Sequence, residues 1–310
     1  MANRIKISLI SASGPSQDPG IHAEAVDQMI EYWRQNFDRV LPDRPDLIVV
    51  PEMCDQYPHH VLQVICESYL EARGDRLLEF FCDTARANRC YMTYPSLRCN
   101  PEGGWFNSVH LIDRCGEIIG TYDKNHPTIS ELEAGICPGQ KASIIECEFG
   151  RIACVVCFDL NFDELRQQYA NSRPDLILFT SMYHGGLMQA YWAYSCRAHL
   201  ASAVTGLPGH LISPVGEVLA STTNYADHVT AMVNLDCRVV HLDDNRPKLA
   251  AIKNRDGPQV TISDPGLLGA VLLTSQSDRT AQKLVDEFQI ELLDHYLDRS
   301  RRCRQEGQTK

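Results

Sequence analysis

The chain has 310 residues, enough for one large domain or two small ones, and a fold of that size buries roughly three quarters of its unfolded surface, so no disulfide framework is required. Its thirteen cysteines follow no repeating spacing and cannot all pair within one chain, which favours reduced thiols and a cytoplasmic setting. A formal charge of -11, from 29 basic and 40 acidic residues, excludes broad nucleic-acid backbone binding, and no apolar run has the length of a signal peptide or membrane span.

Along the chain, strand-like and helix-like patterns alternate. Ile5, Ile7 and Leu9 alternate as on a half-buried strand, Ala25, Val26, Met29, Ile30, Trp33 and Phe37 keep helical spacing, and "DLIVVPE" is a short apolar strand. A helix is expected from Arg76 to Ala87, then a strand at "CYMTYPS" and a hairpin in "SVHLIDRCGEIIGTYDK", where "DRCGE" supplies the turn. "SIIECEFGRIACVVCF" reads as another hairpin and is followed by a helix beginning near Asp163. "PDLILFTS" is a buried strand, Met188 to His199 a helix, "GHLISPVGEVLAS" a hairpin, and "HVTAMVNLD" the last strand. Beyond Asp236 the pattern thins to a final helix from Gln282 to about Arg299, with Val285, Phe288, Leu292 and Tyr296 on one stripe. The basic "RSRRCRQ" after it reads as a solvated tail.

No linker or low-complexity block divides the series. Two rounds of strand, helix and hairpin predict an α/β sandwich with layered sheets inside and helices outside, over residues 1–240, with 241–310 an extension packing on the domain or on a partner subunit.

Three polar residues stand at three predicted strand ends. Glu52 closes "LIVVPEMC", Lys124 closes "IIGTYDKNHPT", and Cys157 closes "RIACVVCF" just before a helix, whose N-terminal amides favour a thiolate. One such residue is ordinarily a capped or solvated end, and a single Cys ordinarily a buried apolar one. A carboxylate, a cation and a thiol placed alike make a constellation. Cys154 and Cys157 form a Cys-x-x-Cys, but on a strand they point to opposite faces, which disfavours a redox pair or a metal site.

The blocks "DLIVVPEM", "GTYDKNH" and "GRIACVVCFDLNFDEL", in that order, resemble the three signature blocks of the nitrilase superfamily of carbon-nitrogen hydrolases, and the likeness runs from Ile5 to about Asp236. "WFNSVHLID", "ELEAGICPG", "DLILFTSMY", "SCRAHLASA" and "GHLISPVGEVLA" extend it. The resemblance implies a four-layer αββα sandwich, association as a homodimer or higher homo-oligomer, and no metal or organic cofactor. It also implies Glu52 as general base, Lys124 as the cation facing an oxyanion together with the Phe158 backbone N–H, and Cys157 as nucleophile.

A second, substrate-positioning glutamate is implied after the lysine; Glu131 and Glu133 compete for it, with a slight preference for Glu131. His126 reads as a loop or pocket-wall residue, Tyr183 and His184 as pocket lining, and Trp192 as packing. "CFDLNF" lacks the early arginine of carbamoyl-amino-acid hydrolases and the Trp that follows the cysteine in nitrilases. It sits nearer the amidase pattern "CYDLRFPEL", with Asn161 and Asp163 in place of Arg and Pro. The loop "TGLPGH" is shorter than in many members. The expected activity is hydrolysis of a small amide, with a carbamoyl compound or nitrile as alternative substrates. The rivals are a non-catalytic binding member of the fold and a thiol redox protein.

Overall fold

In the computed structural model of the protein, residues 2–15, 20–57, 65–266 and 268–308 are described. The first half holds β1 (Arg4–Ile10), α1 (His22–Val40), β2 (Leu47–Val49), α2 (Glu67–Arg73), α3 (Arg76–Asn88), β3 (Tyr91–Cys99), β4 (Trp105–Ile112), β5 (Ile118–Asp123) and the short α4 (Ile129–Glu133). Next come β6 (Ile144–Cys147), β7 (Gly150–Val156), a 3-10 turn at Cys157–Asn161, α5 (Asp163–Ser172), β8 (Leu176–Ser181) and α6 (Leu187–Cys196). They are followed by β9 (His199–Val204), β10 (His210–Ile212), β11 (Val218–Ser221) and β12 (His228–Asn234). The chain ends with β13 (Cys237–His241), α7 (Arg246–Asp256), β14 (Val260–Ser263), β15 (Ala270–Ser275), α8 (Ala281–Glu287) and α9 (Leu293–Gln308).

Two six-stranded sheets face each other, ordered β12-β1-β2-β3-β4-β5 and β11-β10-β9-β8-β7-β6. In the first, β1, β2 and β3 are parallel, and in the second β7, β8 and β9 are. Period-2 alternation decides which side chains meet: Leu47 and Val49 of β2 join the core between the sheets, while Ile48 joins the core beneath the helices. There Ile48, Met92 and Tyr94 pack on Val26, Met29, Trp33 and Phe37 of α1 and on Phe81 of α3, each such burial contributing about 1.5–3 kcal/mol. Leu165 and Tyr169 of α5 and Trp192 of α6 cover the other sheet. The fold is therefore α/β, a four-layer αββα sandwich.

Several expected boundaries are corrected. The helix predicted from Met188 to His199 ends at Cys196, where Arg197 turns left-handed (φ 55°), and His199 opens β9. Every residue of β9 is buried, so the strand carries no alternation to betray it. "HVTAMVNLD" is not the last strand: β13, β15 and β14 form a separate three-stranded antiparallel sheet over a core of Val240, Leu249, Ile252, Val271, Leu273 and Leu284.

The single C-terminal helix is two. Gln289 sits at φ 50°, and the Ile290 and Gln289 N–H groups donate to Val285 O (2.9 Å) and Asp286 O (3.3 Å), a Schellman-type stop. The basic cluster lies within the exposed end of α9 rather than in a tail. Arg197 pairs with Asp294 at 2.9 Å and ties α9 back to the sandwich. Among the described residues no helix is long and apolar enough to cross a membrane.

A left-handed residue with a Cβ carries a cost of about 1–2 kcal/mol that glycine avoids. Because Gln289 is exposed, Gln289→Gly is predicted to raise unfolding stability by about 0.5–1 kcal/mol. A lower urea midpoint in the variant would contradict this account of the helix break.

Candidate active site

The parallel strands β1 to β3 fix a common direction, and β5, two antiparallel steps from β3, shares it. Glu52 just after β2 and Lys124 just after β5 therefore emerge at the same rim of the first sheet. In open α/β sheets such carboxyl ends form the usual ligand crevice. The Lys124 N–H donates to Asn107 O at 2.8 Å, which sets Asn107 of β4 beside the lysine.

Lys124, only 1% exposed, donates from Nζ to Glu52 Oε1 at 2.9 Å and to both oxygens of Glu131 at 2.9 and 2.8 Å. Asn107 Nδ2 bridges the same carboxylates, at 2.8 Å to Glu52 Oε1 and 2.9 Å to Glu131 Oε1. Glu131 is held from behind by a capping box: Thr128 N–H donates to its Oε2 at 2.6 Å, and the Glu131 N–H donates to Thr128 Oγ1. Glu133 is exposed, so of the two candidate glutamates it is Glu131 that meets the lysine.

These contacts fix the charges. Burial opposes the Lys124 ammonium, yet the Glu52 carboxylate, then Cys157 and Glu131, raise its pKa well above the ordinary value. Burial likewise pushes the Glu131 carboxyl up, but the Lys124 charge and the hydrogen bonds from Lys124, Thr128 and Asn107 outweigh it and leave it below 4.5.

Cys157 lies one residue beyond β7, not in it, with φ 50°. The expected opposite-face placement of two strand cysteines is thus replaced by a different separation: Cys154 is enclosed in the core around β7, and Cys157 stands in the turn. A left-handed non-glycine residue at a strand end projects its side chain away from the sheet, a strain typical of functional positions. Burial, then the Glu52 carboxylate, pushes the Cys157 thiol up to about 12, against the Lys124 charge, the Met182 N–H and the Ser181 hydroxyl. All thirteen cysteines are free, and no cluster of three metal-ligating side chains occurs among the described residues.

The turn is clamped by Asp159, which is fully buried. Its Oδ2 accepts from Val156 N–H (3.2 Å) and Tyr122 OH (2.7 Å), and its Oδ1 from His126 N–H (2.7 Å). One carboxylate thus joins the cysteine turn of the second sheet to the lysine loop of the first. Trp192 Nε1 supports the turn from α6 by donating to Leu160 O at 2.8 Å, in keeping with its expected packing role.

The remaining expected residues are less tightly gathered. The Phe158 ring is 37% exposed, edge-on to Phe162. Tyr183 OH accepts from Asn161 Nδ2 at 3.0 Å, and burial first, with Cys157 nearby, pushes its pKa up to about 12. His184 faces His210, Nε2 to Nε2 at 3.0 Å, and its hydrogen bonds do not reach Glu52, Lys124 or Cys157. His126 stacks on Phe162 at 3.7 Å, and its Nδ1 lies 3.2 Å from Asp159 Oδ1. Sequence reasoning missed Asn107 and Asp159 as site residues, although "WFNSVHLID" and "CFDLNF" contain them.

The family profile described as carbon-nitrogen hydrolase matches residues 10–237. The chain belongs to the carbon-nitrogen hydrolase family. Among relatives of this family, a formamidase of Pseudomonas syringae pv. syringae is 29% identical over 151 residues, 44% of this chain, and the chain spans only 40% of that relative's length. Omega-amidase NIT3 of Saccharomyces cerevisiae is 22% identical over 215 residues, 64% of this chain and 70% of the relative. The crystal structure of Saccharomyces cerevisiae Nit3, a member of branch 10 of the nitrilase superfamily, superposes with a TM-score of 0.61 at 16% identity, covering 74% of this chain and 90% of that one. This last likeness shows the nitrilase-superfamily fold.

Glu131 has a folded-state pKa below its unfolded value near 4.5, so its stabilisation is present above about pH 4.5 and is lost as pH falls through the lower folded value. Glu131→Gln is therefore predicted to lower stability at neutral pH by roughly 2–4 kcal/mol and to flatten the acid limb of the stability profile. An unchanged acid limb in urea titrations from pH 7 downward would remove the charge assignment. Asn107→Leu, which leaves both carboxylates short of a donor, is predicted to destabilise by about 2–3 kcal/mol, and thermal melts showing no loss would count against the bridge.

Proposed function

We propose that the protein hydrolyses the C–N bond of a small amide through a thioester on Cys157. The observation that carries this reading is the division of labour between the two oxygens of Glu52. Oε1 is saturated by Asn107 and Lys124, whereas among the described residues Oε2 accepts only the Met182 N–H, at 3.1 Å. A carboxylate oxygen has two lone-pair sites, so Oε2 retains one for an incoming proton. The other charged groups are unsuited to that task. Lys124 stays protonated at neutral pH, and the oxygens of Glu131 are occupied by Lys124, Asn107 and Thr128.

Because burial keeps Cys157 a thiol at rest, attack requires a base on the spot. Glu52 takes the thiol proton as sulfur bonds to the amide carbon, and the oxyanion forms near the Lys124 ammonium and the Phe158 N–H. Collapse breaks the C–N bond while Glu52 returns its proton to the departing nitrogen, so ammonia or an amine leaves. Water then attacks the thioester while Glu52 accepts a proton from it, and as the C–S bond breaks Glu52 returns that proton to sulfur, regenerating the thiol and releasing the carboxylic acid. Glu131 acts as a positioning residue that holds Lys124. The amidase names of the relatives support an amide as the substrate class.

The test is ammonia release over a panel of amides, carbamoyl compounds and nitriles, with intact mass to detect the acyl-enzyme. Cys157→Ser and Glu52→Gln are predicted to lower kcat by at least about a thousandfold while melting as cooperatively as the parent. Turnover near the parent rate in either variant would refute the assigned roles. An adduct on a cysteine other than Cys157 would do the same.

A further inference from the structure

Beside the site, β2 runs into a segment that is pinned at Cys54 and Asp55. Trp33 Nε1 donates to Cys54 O at 2.7 Å, Tyr69 OH to Asp55 O at 2.6 Å, and Asp55 is held by Arg73 at 2.5 Å and Tyr94 OH at 2.8 Å. The next residue, Gln56, is only 4% exposed, yet among the described residues neither its Oε1 nor its Nε2 has a hydrogen-bond partner. Buried amides in folded proteins are nearly always paired, and the exceptions call for a reason. With the two preceding residues held this firmly, slack at Gln56 is not that reason.

Gln56 lines a cavity of about 150 Å³ that also borders Glu52 and Met182, the residue whose N–H serves both Glu52 and Cys157. Its remaining polar contributors among the described residues are Ser13 and Thr205, with Trp33 and Met53 among the apolar ones. No lysine, arginine or histidine lines it among those residues. A carboxylate entering here would meet no cation and would approach the Glu52 charge. An ammonium would leave Nε2 without an acceptor, and a purely apolar end would leave both amide atoms bare. A group that offers one acceptor and one donor, uncharged, satisfies both.

We propose that Gln56 is the specificity determinant for the acyl end of the substrate, which carries a small uncharged donor–acceptor group, a carboxamide or ureido function. This rests on the hydrolase reading above and narrows its substrate class. A site built to hydrogen-bond a substrate group rejects analogues that lack it far more strongly than an apolar pocket rejects an extra methyl.

Three amides of matched shape test the proposal: succinamide, 4-methylpentanamide and succinamate. The parent protein is expected to favour succinamide in kcat/KM over both others by on the order of 100-fold, and Gln56→Leu to lose about 10- to 100-fold on succinamide with 4-methylpentanamide unchanged or improved. Equal rates on all three, or a preference that survives Gln56→Leu, would overturn it. So would turnover of other amides with none of the three accepted.

A second readout does not depend on turnover. In the Cys157→Ala protein, calorimetric binding of succinamide should exceed that of 4-methylpentanamide, and the difference should vanish in the Cys157→Ala, Gln56→Leu double variant. Without ligand, Gln56→Met should melt at or above the parent temperature; a marked drop would mean that the amide has a structural partner and would end the proposal. If no amide ever acylates Cys157, the hydrolase reading itself fails; acylation without discrimination removes only the role of Gln56.

Discussion

A lysine that is almost wholly removed from water governs the rest of this structure. An isolated ammonium in such a place would lose its proton, because the desolvation cost far exceeds any packing gain. Lys124 keeps its charge because two carboxylates share it, and those carboxylates tolerate burial because Asn107 and Thr128 complete their hydrogen bonds. The result is a polar cluster in which the lysine and both carboxylates are hydrogen-bonded, while Asn107 Oδ1 has no partner among the described residues. Hydrogen-bonded networks of this kind fix positions more firmly than apolar packing does.

The scaffold supplies the geometry at low cost. Parallel strands deliver their carboxyl ends to one rim, so short loops suffice to bring Glu52 and Cys157 forward, and the β4–β5 hairpin brings Lys124 to meet them. Among the described residues two non-glycine positions at this rim have a left-handed backbone, Met53 at φ 47° and Cys157 at φ 50°. Apolar burial on both sides of each sheet is large enough to carry such local costs.

What the sequence disclosed follows the same physics. Glu52, Lys124 and Cys157 were visible because a polar residue that ends an apolar strand interrupts an otherwise regular pattern. Asn107 and Asp159 were not, because each sits where alternation or a turn allows an ordinary polar residue; only tertiary contact reveals that they are buried. Most strands before Asn234 were legible from alternation or turn chemistry. β9 was not read as a strand, and its first residue was taken as the end of the preceding helix, because burial on both faces erases its period. The C-terminal sheet went unseen because Cys237–His241, Val260–Ser263 and Ala270–Ser275 are short and separated by a helix or a loop. Gln56 was silent for a related reason: an amide in a loop looks solvated until its surroundings are known.

Asp159 has an implication for assembly. The carboxylate and the amine of the cluster arrive on one sheet, the sulfur on the other, and this single side chain fastens the turn of one to the loop of the other. On the proposed mechanism neither sheet alone would carry a competent centre, because Glu52 and Lys124 stand on one and Cys157 on the other. The first sheet in turn takes its edge strand β12 from beyond the whole second sheet, so both layers are complete only once residues 228–234 have paired with β1.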